Sequence, residues 1–200
     1  MSLLFLMSRE EYLQEFDELH LLAAEIITDA PGTAVSKVEE LLIHAYLLGR
    51  KHTCDELDEA DWAYYEDLLS EKEQAERMAD AIYKRYDGKD FEDKVREYVA
   101  SGDEGLLGNL IASEYHRDYN AGGEGLAQDY KQKTGKTYKK TWMTMMDDRV
   151  RDTHEPLEGV TVDEDEEFYT WDDDHAPYPG EFQKASNNVN CRCWLVYSAS

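Results

Sequence analysis

The hydrophobic period of this chain changes once, near Gly135, and that change constrains the fold more than any other feature. Up to residue 133 apolar side chains recur at three- and four-residue spacing, the period of helices that bury one face. Over 136–145 bulky and polar residues alternate instead, which favours an extended strand. The architecture that follows is α+β: a helical N-terminal region, then a small loop-rich C-terminal unit with a few antiparallel strands. A break at Ser101-Gly102-Asp103 divides the chain into a helical region over 1–103 and a second unit over 104–200.

Leu13, Phe16, Leu19 and Leu22 predict a helix over 9–28. Asp29-Ala30-Pro31-Gly32 stops it, since proline cannot continue a helix and glycine closes one. Val38, Leu41, Leu42, Ala45, Tyr46 and Leu48 build a second helix that ends near Gly49. Leu68, Ala75, Ala79 and Ile82 predict a third over 61–86, and 91–100 is a shorter fourth. A fifth runs over 104–120 and is terminated by Gly122-Gly123; a further helical stretch over 125–133 ends at Gly135. The opposite faces of the first four helices are acidic and read as solvated surface. Strands are also expected over 159–162 and 191–197, with 163–188 largely loop because it is rich in Asp, Pro, Gly and Asn. No internal repeat or low-complexity linker interrupts this order.

A net charge of −24 opposes the cationic surface with which proteins hold nucleic acid nonspecifically, so broad direct nucleic-acid binding is not expected. No apolar run is long enough to span a membrane, so no membrane partner is expected. The apolar Ser2-Leu3-Leu4-Phe5-Leu6-Met7 meets Glu10 and Glu11 at once and lacks the marks of a secretory signal. Cys54, Cys191 and Cys193 are odd in number, which argues against a secreted disulfide framework. These features predict a soluble intracellular chain.

The specialised chemistry lies after Trp142. Cys191 and Cys193 fall on a predicted strand, where period two places both sulfurs on one face. With His154 they form two thiolates and an imidazole, a set that suits zinc, and Asp147, Asp152 or Glu155 can supply a fourth ligand. The bland alternative is two small half-buried strand residues and a histidine bonded to a loop carbonyl. Arg149, Arg151 and Arg192 stand among Asp147, Asp148 and Asp152, as a network pinning strands to loop requires. Asn190 is placed to satisfy loop backbone through its amide. Tyr178-Pro179-Gly180 reads as a turn with glycine at positive φ, and Trp142 and Phe168 read as core. A catalytic alternative uses His154 as general base with Arg149 and Arg151 as a clamp, as a nuclease or transferase needs. Another pairs a cysteine nucleophile with His154. Neither has a nucleophile elbow, Walker loop or H-E-x-x-H helix beside it.

In order, Trp142, Asp147-x-Arg149-Val150-Arg151-x-x-His154, Gly159, Phe168, Tyr178-Pro179-Gly180 and Asn190-Cys191-Arg192-Cys193 resemble the C-terminal signature of phage head morphogenesis proteins of the phage Mu F-like family. Ile111-Ala112-Ser113-Glu114 followed by Tyr119-Asn120 and Gly122 is similar to the family's preceding helix, with Ser113 where threonine is usual. Leu-Leu-x-x-Ala-Tyr-x-x-Gly over Leu41 to Gly49 matches in general character. The resemblance implies a non-enzymatic minor capsid protein acting in head morphogenesis, and in DNA packaging or delivery. It implies the portal protein and other head proteins as partners, with the helical region docking on portal or scaffold. The expected location is the virion, with the host cytoplasm during assembly. Some relatives carry a toxin or ADP-ribosyltransferase domain after the shared region; with Ser200 just past the final strand, none is expected here. On this reading Glu114, Trp142, Asp147, Arg149, Arg151, His154, Gly159, Asn190 and Arg192 are structural signature residues.

Overall fold

A computed structural model describes residues 19–57, 76, 78–81 and 91–200. Within them the helices are α1 (Leu19–Ile26), α2 (Pro31–Glu56), α3 (Phe91–Ser101), α4 (Glu104–Thr134) and the single-turn α5 (Ala185–Asn188). The strands are β1 (Tyr138–Met143), β2 (Thr161–Asp163), β3 (Phe168–Thr170), β4 (Asp174–Ala176) and β5 (Trp194–Ala199). The expected α+β order is what the structure has. The first part of the helix expected over 9–28 and nearly all of that over 61–86 lie outside the described residues.

Pro31 opens α2 as well as ending what precedes it, because its missing N–H falls where a helix start has no acceptor to serve. Two expected helix ends are corrected. α2 runs past Gly49 to Glu56, and α4 runs unbroken through Gly122-Gly123 to Thr134. These glycines are crossing points: a Cβ on Gly49 would lie 1.8 Å from the Tyr119 carbonyl oxygen, and one on Gly122 1.9 Å from that of Tyr46. Only hydrogen in place of a side chain lets the two backbones approach so closely, and neighbouring residues sustain the helix.

α4 is the spine. Asp103 caps it by accepting the Leu106 N–H at 3.0 Å, and Gly135 closes it at φ 70° with its N–H on the Lys131 carbonyl. At 31 residues it is roughly 46 Å long, enough to serve two cores. Leu107, Ile111, Tyr115 and Tyr119 pack with Leu42, Leu48, Phe91 and Val95 in a helical core. Farther along, Ala127 and Tyr130 pack with Trp142, Phe168, Phe182, Leu195 and Tyr197 in the core of the C-terminal unit.

That unit is built on an antiparallel sheet ordered β2-β1-β5, with Trp142 opposite Leu195. β3 and β4 form a separate two-stranded hairpin inside the stretch expected to be loop, pairing Phe168 with Ala176. Aspartate, proline and glycine are common there, yet alternate residues Phe168 and Thr170 turn inward and are buried, and that is sufficient for a short strand.

Candidate functional site

Cys191 and Cys193 precede β5 rather than lying on it, which corrects the expected strand over 191–197. Their sulfurs nevertheless converge. His154 Nδ1 lies 3.6 Å from Cys191 Sγ and 3.5 Å from Cys193 Sγ, and all three side chains are buried. Loop geometry, not strand alternation, brings them together, and β1 supports them from below. Trp142 makes edge contacts with His154 (centroids 5.4 Å) and Phe168 (5.0 Å), and Phe182 closes on His154 at 5.1 Å. These contacts place Trp142 and Phe168 in the core, as the sequence predicts.

The dithiol is electrically uneven. A hydrogen bond from Cys193 together with His154 pulls Cys191 well below the ordinary thiol range. Cys193 is pushed up because it donates to Cys191 and is buried. Of the two sulfurs, Cys191 is the readier to ionise. The three ligand atoms lie within 4.8 Å of one another and can hold a metal ion. A tetrahedral zinc, with Zn–S about 2.3 Å and Zn–N about 2.0 Å, spans an N···S edge of about 3.6 Å. The observed separations of 3.5 and 3.6 Å fit that edge. Among the described residues no carboxylate joins the group, so Asp147, Asp152 and Glu155 do not complete it.

The arginines divide their work. Arg192 Nη2 bonds Asp147 Oδ1 at 2.6 Å, and Arg149 Nε stands 3.6 Å from the other oxygen of that carboxylate. The Arg192 contact, first among several, holds the Asp147 carboxyl below its usual range. Arg151 departs from the expected arginine–aspartate network. Its two terminal nitrogens donate to the Asn187 and Val189 carbonyls at 2.6 and 2.7 Å, tying the histidine loop to the cysteine loop. Gly159 sits at φ 72° and returns the chain beside β1, with its N–H on the Trp142 carbonyl at 2.9 Å. Gly180 takes φ 96°, as the Tyr-Pro-Gly turn predicts, and a Cβ there would meet the Arg117 side chain at 2.9 Å.

α4 supplies the other half of the site, which the sequence reading largely missed. Asn190 does not serve its own loop; its N–H donates to Ser113 Oγ and its side-chain amide to Asn109 Oδ1, both at 3.0 Å. The Cys193 carbonyl accepts from His116 Nε2 and, at 3.3 Å, from the Asn120 amide. Asn109, Ser113, His116 and Asn120 recur at spacings of four, three and four, one stripe of a helix. The available signal was that these four polar residues share one face of a helix that carries other polar and charged residues as well. Glu114, one residue off it, is buried and accepts from Arg117 Nε at 3.0 Å. Asp174 was also missed: it is buried and accepts the backbone N–H groups of His175, Gln183 and Lys184 and the Asn187 amide, at 2.9–3.0 Å.

The family model described as Phage Mu protein F like protein matches residues 72–196, a span that contains the whole site. A stretch of 62 residues is 44% identical to the NAD(+)–arginine ADP-ribosyltransferase EFV of Enterococcus faecalis, covering 31% of this chain and 12% of that protein. Another of 85 residues is 32% identical to the Minor head protein GP7 of Bacillus phage SPP1, covering 42% of this chain and 27% of the relative. The chain thus aligns with well under two thirds of either relative. No solved structure matches it.

Proposed function

The chain belongs to the phage Mu protein F like family, and on that premise we propose that it is a minor head protein located in the virion of a tailed phage. The observation that carries this reading is the family match over 72–196, seconded by the likeness to a phage minor head protein. In this reading the helical region over 1–103 docks on the portal protein or scaffold. The unit over 104–200 is the head-protein domain, with a role in head morphogenesis and in DNA packaging or delivery. Assembly takes place in the host cytoplasm. A chain of net charge −24 enclosed with packaged DNA is repelled by it, which favours release over capture. Among the described residues no helix is long and apolar enough to cross a membrane, and no membrane partner enters the proposal.

The site residues act as structure, not as a reaction centre. His154 is 1% exposed with Nδ1 beside both sulfurs, and Arg151 spends its terminal donors on backbone carbonyls. Those positions favour a pinned loop over a general base and clamp. Zinc is the proposed ion at His154, Cys191 and Cys193, on the tetrahedral N···S edge. The likeness to the ADP-ribosyltransferase covers 12% of that protein and does not displace this reading. Co-expression with the portal protein of the same phage tests function and partner together: the account predicts co-purification through the helical region. Separate elution at assembly concentrations contradicts the portal as partner.

A further inference from the structure

A cavity of about 10 Å³ opens beside the three ligand atoms, room for one water-sized group. His154, Cys191 and Cys193 form one side of it, and Arg149, Arg151 and Arg192 line it too. Among the described residues no carboxylate lines it, in a chain that carries 45 acidic residues against 21 basic ones. Arg192 and Arg149 both reach the carboxylate of Asp147, and Arg151 donates to the Asn187 and Val189 carbonyls. The Arg192 side chain is 9% exposed, and its Nη1 is buried with no hydrogen-bond partner. An idle buried guanidinium donor is costly and calls for an acceptor.

The ligand count leads to the same place. Zinc prefers four ligands, and among the described residues three converge. The geometry points to an anion site: a small anion, bound through a single donor atom, fills the fourth metal position and accepts from Arg192 Nη1. This rests on the metal reading above. It makes the site an open one that exchanges its fourth ligand, unlike a closed structural zinc whose ligands all come from the chain.

Cobalt(II) loaded into the full chain tests this, because its visible spectrum reports both thiolate ligation and the fourth ligand. Azide is the probe. The expected result is a thiolate-to-cobalt charge-transfer band, then a saturable azide shift of the ligand-field bands. Arg192→Met should weaken azide on the order of tenfold, the size of one charge-assisted hydrogen bond. Asp147→Asn frees the guanidinium and should tighten azide binding, which separates charge from misfolding. A charge-transfer band with no response to azide overturns the open position and leaves the metal reading standing. Unchanged azide affinity in both variants overturns the part given to Arg192. No charge-transfer band overturns the metal reading and this inference with it.

Discussion

Gly122 of α4 lies so close to Tyr46 of α2 that a Cβ there would stand 1.9 Å from the Tyr46 carbonyl oxygen. The obstacle is backbone, which cannot swing aside as a flexible side chain can. Gly122→Ala should therefore separate the two helices and cost about 3 kcal/mol, the upper end of overpacking penalties. Gly105→Ala is the control in the same helix: its Cβ would come no closer than 3.7 Å to anything, and alanine should gain up to about 1 kcal/mol. Urea denaturation of both variants measures the contrast.

Metal binding should release protons, more of them from Cys193 than from Cys191, because its bond to Cys191 and burial hold the Cys193 proton while Cys191 is the readier to ionise. Affinity should fall as pH falls, since protons compete for the sulfurs. Calorimetry of zinc binding in buffers of different ionisation enthalpy counts the protons. Chelating the ion from loaded protein should lower the melting midpoint by on the order of 5 °C.

Asp174 anchors the loop between β4 and α5 with four donors on its carboxylate. Burial pushes its pKa up, but those hydrogen bonds more than offset burial and leave it below the usual value. A depressed carboxyl contributes stability that is complete above its unfolded pKa of about 3.9 and is lost as pH falls through the folded value. Asp174→Ala should flatten that acid limb and cost on the order of 3 kcal/mol, because buried N–H groups lose their acceptor. Chemical denaturation from neutral to acid pH follows both effects.

Tyr138 and Tyr197 both donate to Glu124 at 3.1 Å. Burial first, then the Glu124 charge, raises both phenols far above their ordinary value. A raised pKa contributes stability that is complete below about pH 10 and is lost as pH rises toward the folded value. Their ionisation, followed by near-ultraviolet absorbance, should therefore coincide with alkaline unfolding. Glu124→Gln removes the second cause but not the first, so the step should move down only partly.

Among the described residues the helices and the cluster after Trp142 were legible because periodicity and unusual residues leave local marks in a sequence. The glycines were not. Gly49 and Gly122 look like helix stops until a second backbone is known to pass there. The polar stripe of Asn109, Ser113, His116 and Asn120 was missed for the same reason: its partners lie about eighty residues away in the cysteine loop. Arg151 was assigned to acids because charge is visible in sequence and backbone carbonyls are not. Cys191 and Cys193 converge with His154 as read, but by loop geometry rather than strand alternation.

The most direct test of the central claim is quantitative mass spectrometry of purified procapsids and virions of the phage that encodes this chain. The account predicts its peptides in both particles, at a copy number far below that of the major capsid protein. Their absence from both, with the chain abundant in the same lysate, would contradict a minor head protein.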